Sequence, residues 1–158
     1  MEAFTEILVH GAPVFRNVLL RVAALAPAAD GAAGPACLVH CTTGNNRTGV
    51  LMGVLLSFLG VRDRDIAAEY ALSNAGLAPI RQRVVSRLVK SPVFANGGEA
   101  GRAREESMLE MVEMVQRRWG SAEQYVRDAC GLTDDEVERL KRVLGGGDVG
   151  EYLEQAAS

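Results

Sequence analysis

The chain has 158 residues, 48% of them hydrophobic and 23% charged, with a net charge of −3 and a pI of about 5.4. That size predicts one domain, residues 1–158, with a core of its own, and the acidic balance argues against nucleic acid or an anionic membrane as a main partner. Met1-Glu2-Ala3-Phe4-Thr5-Glu6 is acidic where a secretion signal is basic, and the longest apolar run, Val50 to Leu59, is about half of what a bilayer crossing needs; both point to a cytoplasmic protein.

Between Phe4 and Ala26 the apolar residues Phe15, Val18, Leu19, Val22 and Leu25 fall at helical spacing. They predict an amphipathic, core-packing helix, interrupted near Gly11-Ala12-Pro13 because proline removes a backbone donor. Asp30 to Pro35 has loop chemistry. Ala36 to His40 reads as a short buried strand that delivers Cys41 to its C-terminal end, where ligands commonly sit in α/β folds.

A second helix is expected over Thr48 to Leu59, stopped by Gly60. A third starts near Asp63 with Ile66 and Tyr70 on one face, and a fourth follows Pro79. Ser91 to Gly101, with Pro92 and Gly97-Gly98, reads as a surface loop. Met108, Val112, Val115 and Trp119 form the apolar stripe of another helix. Ser121-Ala122-Glu123-Gln124 and Thr133-Asp134-Asp135-Glu136 both fit a capping box and so begin two more. The last of these ends at Gly145-Gly146-Gly147, and Asp148 to Ser158 reads as a frayed tail. Together the elements describe an α/β chain, mostly helical, with a reduced or truncated sheet.

The chemistry concentrates in His40-Cys41-Thr42-Thr43-Gly44-Asn45-Asn46-Arg47-Thr48-Gly49. The five residues between Cys41 and Arg47 let the backbone curl so that successive N–H groups point inward at the oxygens of one phosphate, an anion-binding nest. Gly44 permits the turn. Thr42, Thr43, Gly44, Asn45 and Asn46 would bind through their backbone. The helix that follows adds its N-terminal N–H groups and the positive end of its dipole. The same field lowers the thiol, from about 8.5 to roughly 3.5–7.5 in sites of this kind. Arg47 supplies a planar cationic fork for two oxygens, serving both binding and the transition state. Thr48 places a hydroxyl near the sulfur, His40 would orient the loop from behind, and Gly49 belongs to its supporting frame.

His40-Cys41, Gly44 and Arg47-Thr48-Gly49 resemble the protein-tyrosine phosphatase signature, H-C-x5-R-[ST]-G. Asp65-Ile66-Ala67-Ala68-Glu69-Tyr70, Trp119 to Tyr125 and Gly131 to Glu136 extend the likeness to the microbial tyrosine/serine phosphatases with fungal and mycobacterial members. The similarity runs over roughly residues 4–145 and corresponds to the C-terminal catalytic half of that family. It implies a cysteine-phosphatase-like α/β fold with the phosphate loop between a strand and a helix. It also implies hydrolysis through a phosphocysteine without metal or other cofactor, acting on phosphotyrosine protein or a small aryl phosphate.

Full-length relatives carry an N-terminal region with strands and an aspartate general acid, and this chain begins after that region would end. The expectation is a truncated domain, open to self-association through uncovered edges. Many relatives read Lys-Asp or Lys-Gly where Asn45-Asn46 stands, and neither asparagine can give up a proton. Asp63, Asp65 and Glu69 read as solvated helix residues, one of which could serve as a substitute acid.

Several alternatives compete. Cys37, Cys41 and Cys130 form no C-x-x-C pair, and His10, Cys37, His40 and Cys41 lack zinc-ligand spacing. Rhodanese-type sulfurtransferases and arsenate reductases also cradle an anion beside a cysteine, but Arg47-Thr48-Gly49 after His40-Cys41 favours the phosphatase. A nucleotide loop would need Gly-Lys-Ser/Thr, which the chain lacks. The rival of a different class is a phosphate-binding pseudophosphatase, or inactive fragment, that keeps the loop without the general acid.

Overall fold

The computed structural model describes residues 2–25, 35–80, 82–83 and 102–145. Six α-helices carry the architecture among them: α1 (Glu2–Ala23), α2 (Arg47–Phe58), α3 (Asp63–Leu77), α4 (Glu105–Trp119), α5 (Ala122–Asp128) and α6 (Asp134–Leu144), with a 3₁₀ turn at Ala78–Ile80 after α3. The sequence readings of Asp30 to Gly34, of a full helix after Pro79, of the loop Ser91 to Gly101 and of the tail fall outside the described residues.

Helix α2 is the hub. Its sequence is apolar nearly all round, as a helix enclosed by others requires, and it packs against α1, α3, α4 and α5. Val50 and Val54 of α2 are fully enclosed together with Leu8 and Leu19 of α1, Ile66 of α3, Met108, Met111, Val112 and Val115 of α4, and Tyr125 and Val126 of α5. Each such side chain contributes on the order of 1.5–3 kcal/mol relative to exposure. The helix that begins with Arg47 and Thr48 is therefore anchored in the core by four neighbouring helices.

Two expectations are corrected here. The chain is not α/β: among the described residues there is no strand and no sheet, so the phosphate loop does not lie between a strand and a helix. Residues 36–40, expected as a buried strand, form no ladder, and Leu38 is 87% exposed. A strand exists only when a neighbour takes its N–H and C=O groups, and no neighbour is present among the described residues. The second correction is in α1, which runs unbroken through Pro13. Pro13 lies on the exposed side, while Leu8, Ala12, Phe15 and Leu19 are buried on both sides of it; tertiary packing outweighs the missing hydrogen bond.

The ends of the helices follow the local chemistry. At the α2 terminus Gly60 N–H donates to Ser57 O and Val61 N–H to Leu56 O. Thr133 and Glu136 form the full reciprocal capping box. Ser121 makes only half of one: its hydroxyl accepts from Gln124 N–H, but the Gln124 amide turns instead to Asp128, 2.9 Å away. Arg16 of α1 donates to Gly131 O and pairs with Glu136 at 3.4 Å, tying α1 to the start of α6. Asn74 of α3 donates to Ala103 O at 2.6 Å and accepts from Ala103 N–H at 3.0 Å, fixing the entry to α4.

Candidate active site

Cys41 leads into a turn, residues 42–46, that closes directly onto the first residue of α2. The turn depends on Gly44, whose φ of +73° lies in the left-handed region. A side chain there would find open space, so the requirement is on the backbone alone. Asn46 is the N-cap of α2, yet its side chain makes no capping bond. Asn46 therefore does not compete for the leading N–H groups of α2, which are left to an acceptor on the loop side, the condition under which a helix N-terminus receives an anion.

The sulfur of Cys41 lies where those groups converge. Burial by itself pushes the thiol up, but the Thr48 hydroxyl and the backbone N–H groups of Thr48, Thr43 and Gly44 hydrogen-bond the sulfur and together bring it down to about 7. A substantial fraction is thiolate at neutral pH. The arrangement combines a partly ionised thiol with a hydroxyl and amide donors that meet it.

The other loop residues divide by exposure. Arg47 and Thr42 are exposed, Thr43, Gly44, Asn46 and Thr48 half-buried. His40 is exposed, with Nδ1 3.2 Å from Cys41 O, in contact with the loop backbone. Asn45 is the exception: it is 1% exposed, and its side-chain oxygen and nitrogen have no hydrogen-bond partner among the described residues. Its amide points away from solvent.

Gly49, the last residue of the motif, faces Tyr70 of α3. A Cβ at Gly49 would lie 2.5 Å from Tyr70 Cε2 and 3.0 Å from Cδ2. Tyr70 is 4% exposed, with Phe4 of α1 edge-on to its ring at 6.2 Å between centroids. Burial, and then the negative charge of Cys41, raise its phenol to about 12, so it is neutral. The sequence offers Tyr70 only as part of an apolar face, since a contact between residues 49 and 70 leaves no trace in local spacing.

The carboxylates considered as substitute acids are largely occupied elsewhere. Asp63 accepts from Gln116 of α4 at 3.3 Å, and Asp65 from Arg62 at 2.5 Å with Arg64 at 3.5 Å. Partial burial raises Glu69 above the usual carboxylate range. Among the described residues no group of three or more His, Cys, Asp or Glu is placed to hold a metal, and no helix is long and apolar enough to cross a membrane.

Comparison with known proteins agrees with the loop. The model of the tyrosine phosphatase family matches residues 1–145. The chain belongs to the tyrosine phosphatase family. A tyrosine-protein phosphatase of Nostoc commune is 31% identical over 150 residues, covering 91% of this chain and 48% of that protein. The triple specificity protein phosphatase PtpB of Mycobacterium tuberculosis is 30% identical over 129 residues, covering 73% of this chain and 46% of that protein. This family member thus spans about half the length of the curated relatives it matches. No solved structure matches it at a comparable level.

Proposed function

We propose that the chain is a cysteine-dependent phosphomonoester hydrolase acting through a phosphocysteine on Cys41. The observation that carries this reading is the convergence of the Thr48 hydroxyl and the Thr43, Gly44 and Thr48 N–H groups on a thiol lowered to about 7. The thiolate attacks phosphorus in line, forming S–P as the P–O bond to the leaving group breaks, and the electron pair departs on that oxygen. Arg47 and the loop amides of residues 42–46 hold the equatorial oxygens. Water then attacks phosphorus, and the sulfur leaves as a thiolate stabilised by the Thr48 hydroxyl. His40 and Gly49 support the loop.

Phosphotyrosine protein, or a small aryl phosphate, is the favoured substrate class. The Nostoc and mycobacterial relatives are named as protein phosphatases. The loop itself offers Thr42, Thr43, Asn45 and Asn46 around a single cation, Arg47, which suits one phosphate better than a multiply phosphorylated head group.

The second reading, a phosphate-binding pseudophosphatase, is favoured by one feature. The loop amides Asn45 and Asn46 cannot donate a proton to the leaving oxygen, and Asp63 and Asp65 are engaged with Gln116, Arg62 and Arg64. Loss of general acid catalysis typically costs about 10²–10⁴ in rate, while the nest and Arg47 remain. Hydrolysis of p-nitrophenyl phosphate against a Cys41→Ser control decides between the two. Turnover abolished by Cys41→Ser, with phosphate trapped on Cys41 after acid quench, supports the hydrolase; phosphate binding without turnover supports the rival.

A further inference from the structure

We propose that Tyr70 is a positioning residue for the phosphate loop, acting through the space left by the missing side chain of Gly49. The inference rests on Cys41 being the nucleophile and concerns what holds its surroundings in place. Gly49 lies in the first turn of α2, directly after Arg47 and Thr48. At that turn the Tyr70 ring occupies the place of a Cβ, 2.5 Å from the ideal position. The ring is itself fixed, being 4% exposed and met edge-on by Phe4 of α1.

The contact joins three elements at the point where the chemistry begins. Helix α3 supplies Tyr70, α1 supplies Phe4, and between them they set the height of the α2 N-terminus. The Thr48 hydroxyl and N–H that meet the sulfur of Cys41 belong to that same turn, as does the backbone that carries Arg47. A ring seated on Gly49 therefore keeps Thr48 and Arg47 in register with the thiol. The phenol oxygen is dispensable in this role, because no hydrogen bond from Tyr70 reaches Cys41 among those that lower it.

The test uses the whole chain and two readouts, only one of which needs turnover. The pH profile of Cys41 alkylation by iodoacetamide is followed by mass spectrometry, with the exposed Cys37 as an internal reference, beside kcat and KM on p-nitrophenyl phosphate. Tyr70→Phe is expected within about twofold of wild type, whereas Tyr70→Leu moves the Cys41 midpoint up by about one pH unit and lowers kcat about tenfold with little change in KM. Gly49→Ala is expected to lose about 100-fold, and Gly49→Ala combined with Tyr70→Leu to return to within about threefold of Tyr70→Leu alone, the coupling expected of residues that share one space. If Gly49→Ala impairs folding, the double variant regains its melting temperature and Cys41 midpoint. Strictly additive losses, or a Tyr70→Leu profile identical to wild type, overturn the inference while leaving the function intact. A wild-type Cys41 midpoint no lower than that of Cys37 overturns both.

Discussion

The hydroxyl of Thr48 hydrogen-bonds the sulfur of Cys41, so the second residue of α2 acts back across the turn on the residue that leads into it. Thr48→Val keeps the shape and removes the donor. The Cys41 alkylation midpoint is expected to rise, and kcat to fall by about tenfold or more, since in the proposed mechanism the same hydroxyl stabilises the thiolate that departs from phosphorus. An unchanged alkylation profile would show that backbone amides alone hold the thiolate.

Stability is also coupled to that thiol. Its folded value of about 7 lies below the ordinary 9.0, so the folded state releases the proton first. The resulting stabilisation is fully present above pH 9 and is lost as pH falls through 7. Across this window wild-type stability is expected to gain on that of Cys41→Ser as pH rises, measured by urea unfolding at a series of pH values. Parallel curves for the two proteins would refute the linkage.

Asn45 gives a prediction about stability alone. Its buried amide has no partner for either polar atom among the described residues, and one unsatisfied buried group costs about 1–3 kcal/mol. Asn45→Leu keeps the size and removes both atoms. It is expected to raise the melting temperature by about 2–4 °C per kcal/mol recovered, with phosphate affinity held by the unchanged backbone donors. A lower melting temperature would mean that the amide is engaged in a contact of its own.

These residues also show what the sequence discloses and what it conceals. Helices α3 and α4 are legible because each buries a stripe whose period is local, Ile66 with Tyr70 and Met108 with Val112 and Val115. Helix α2 is legible because its apolar run is contiguous and stops at Gly60, and α5 and α6 because the caps at Ser121 and Thr133 are local too. The phosphate loop is legible because Cys41 and Arg47 lie within one turn of chain. Residues 36–40 form no strand because a short apolar run describes a candidate strand but not the partner that makes it one. Pro13 does not break α1 because its penalty is local, whereas the packing of Phe4, Leu8, Phe15 and Leu19 that offsets it is not. The Tyr70–Gly49 contact and the unpartnered Asn45 are products of the folded arrangement and have no signature in the sequence.

The absence of a proton donor in the loop predicts a steep dependence on the leaving group. Nitrophenolate leaves readily as an anion and the phenolate of tyrosine does not, so kcat on p-nitrophenyl phosphate is expected to exceed that on phosphotyrosine peptide by about 10²-fold or more. Asn46→Asp puts a carboxyl at the N-cap of α2 and should gain more on phosphotyrosine than on the nitrophenyl ester. Equal rates on the two substrates in the unmodified chain, with chemistry rate-limiting, would point to another donor. Glu69, held protonated to higher pH by its burial, is the first to replace, as Glu69→Gln.

The pairing of Asn74 with both backbone groups of Ala103 has a consequence for how this family member can vary. The chain leaves α3 and, 29 positions later, returns to the very side chain it passed on the way out. Serving both groups at once takes a side chain with a donor and an acceptor on one planar amide. Aspartate at position 74 would offer acceptors only, leave the Ala103 carbonyl unmet and loosen the entry to α4, and through it the packing of α4 against α2 and α3.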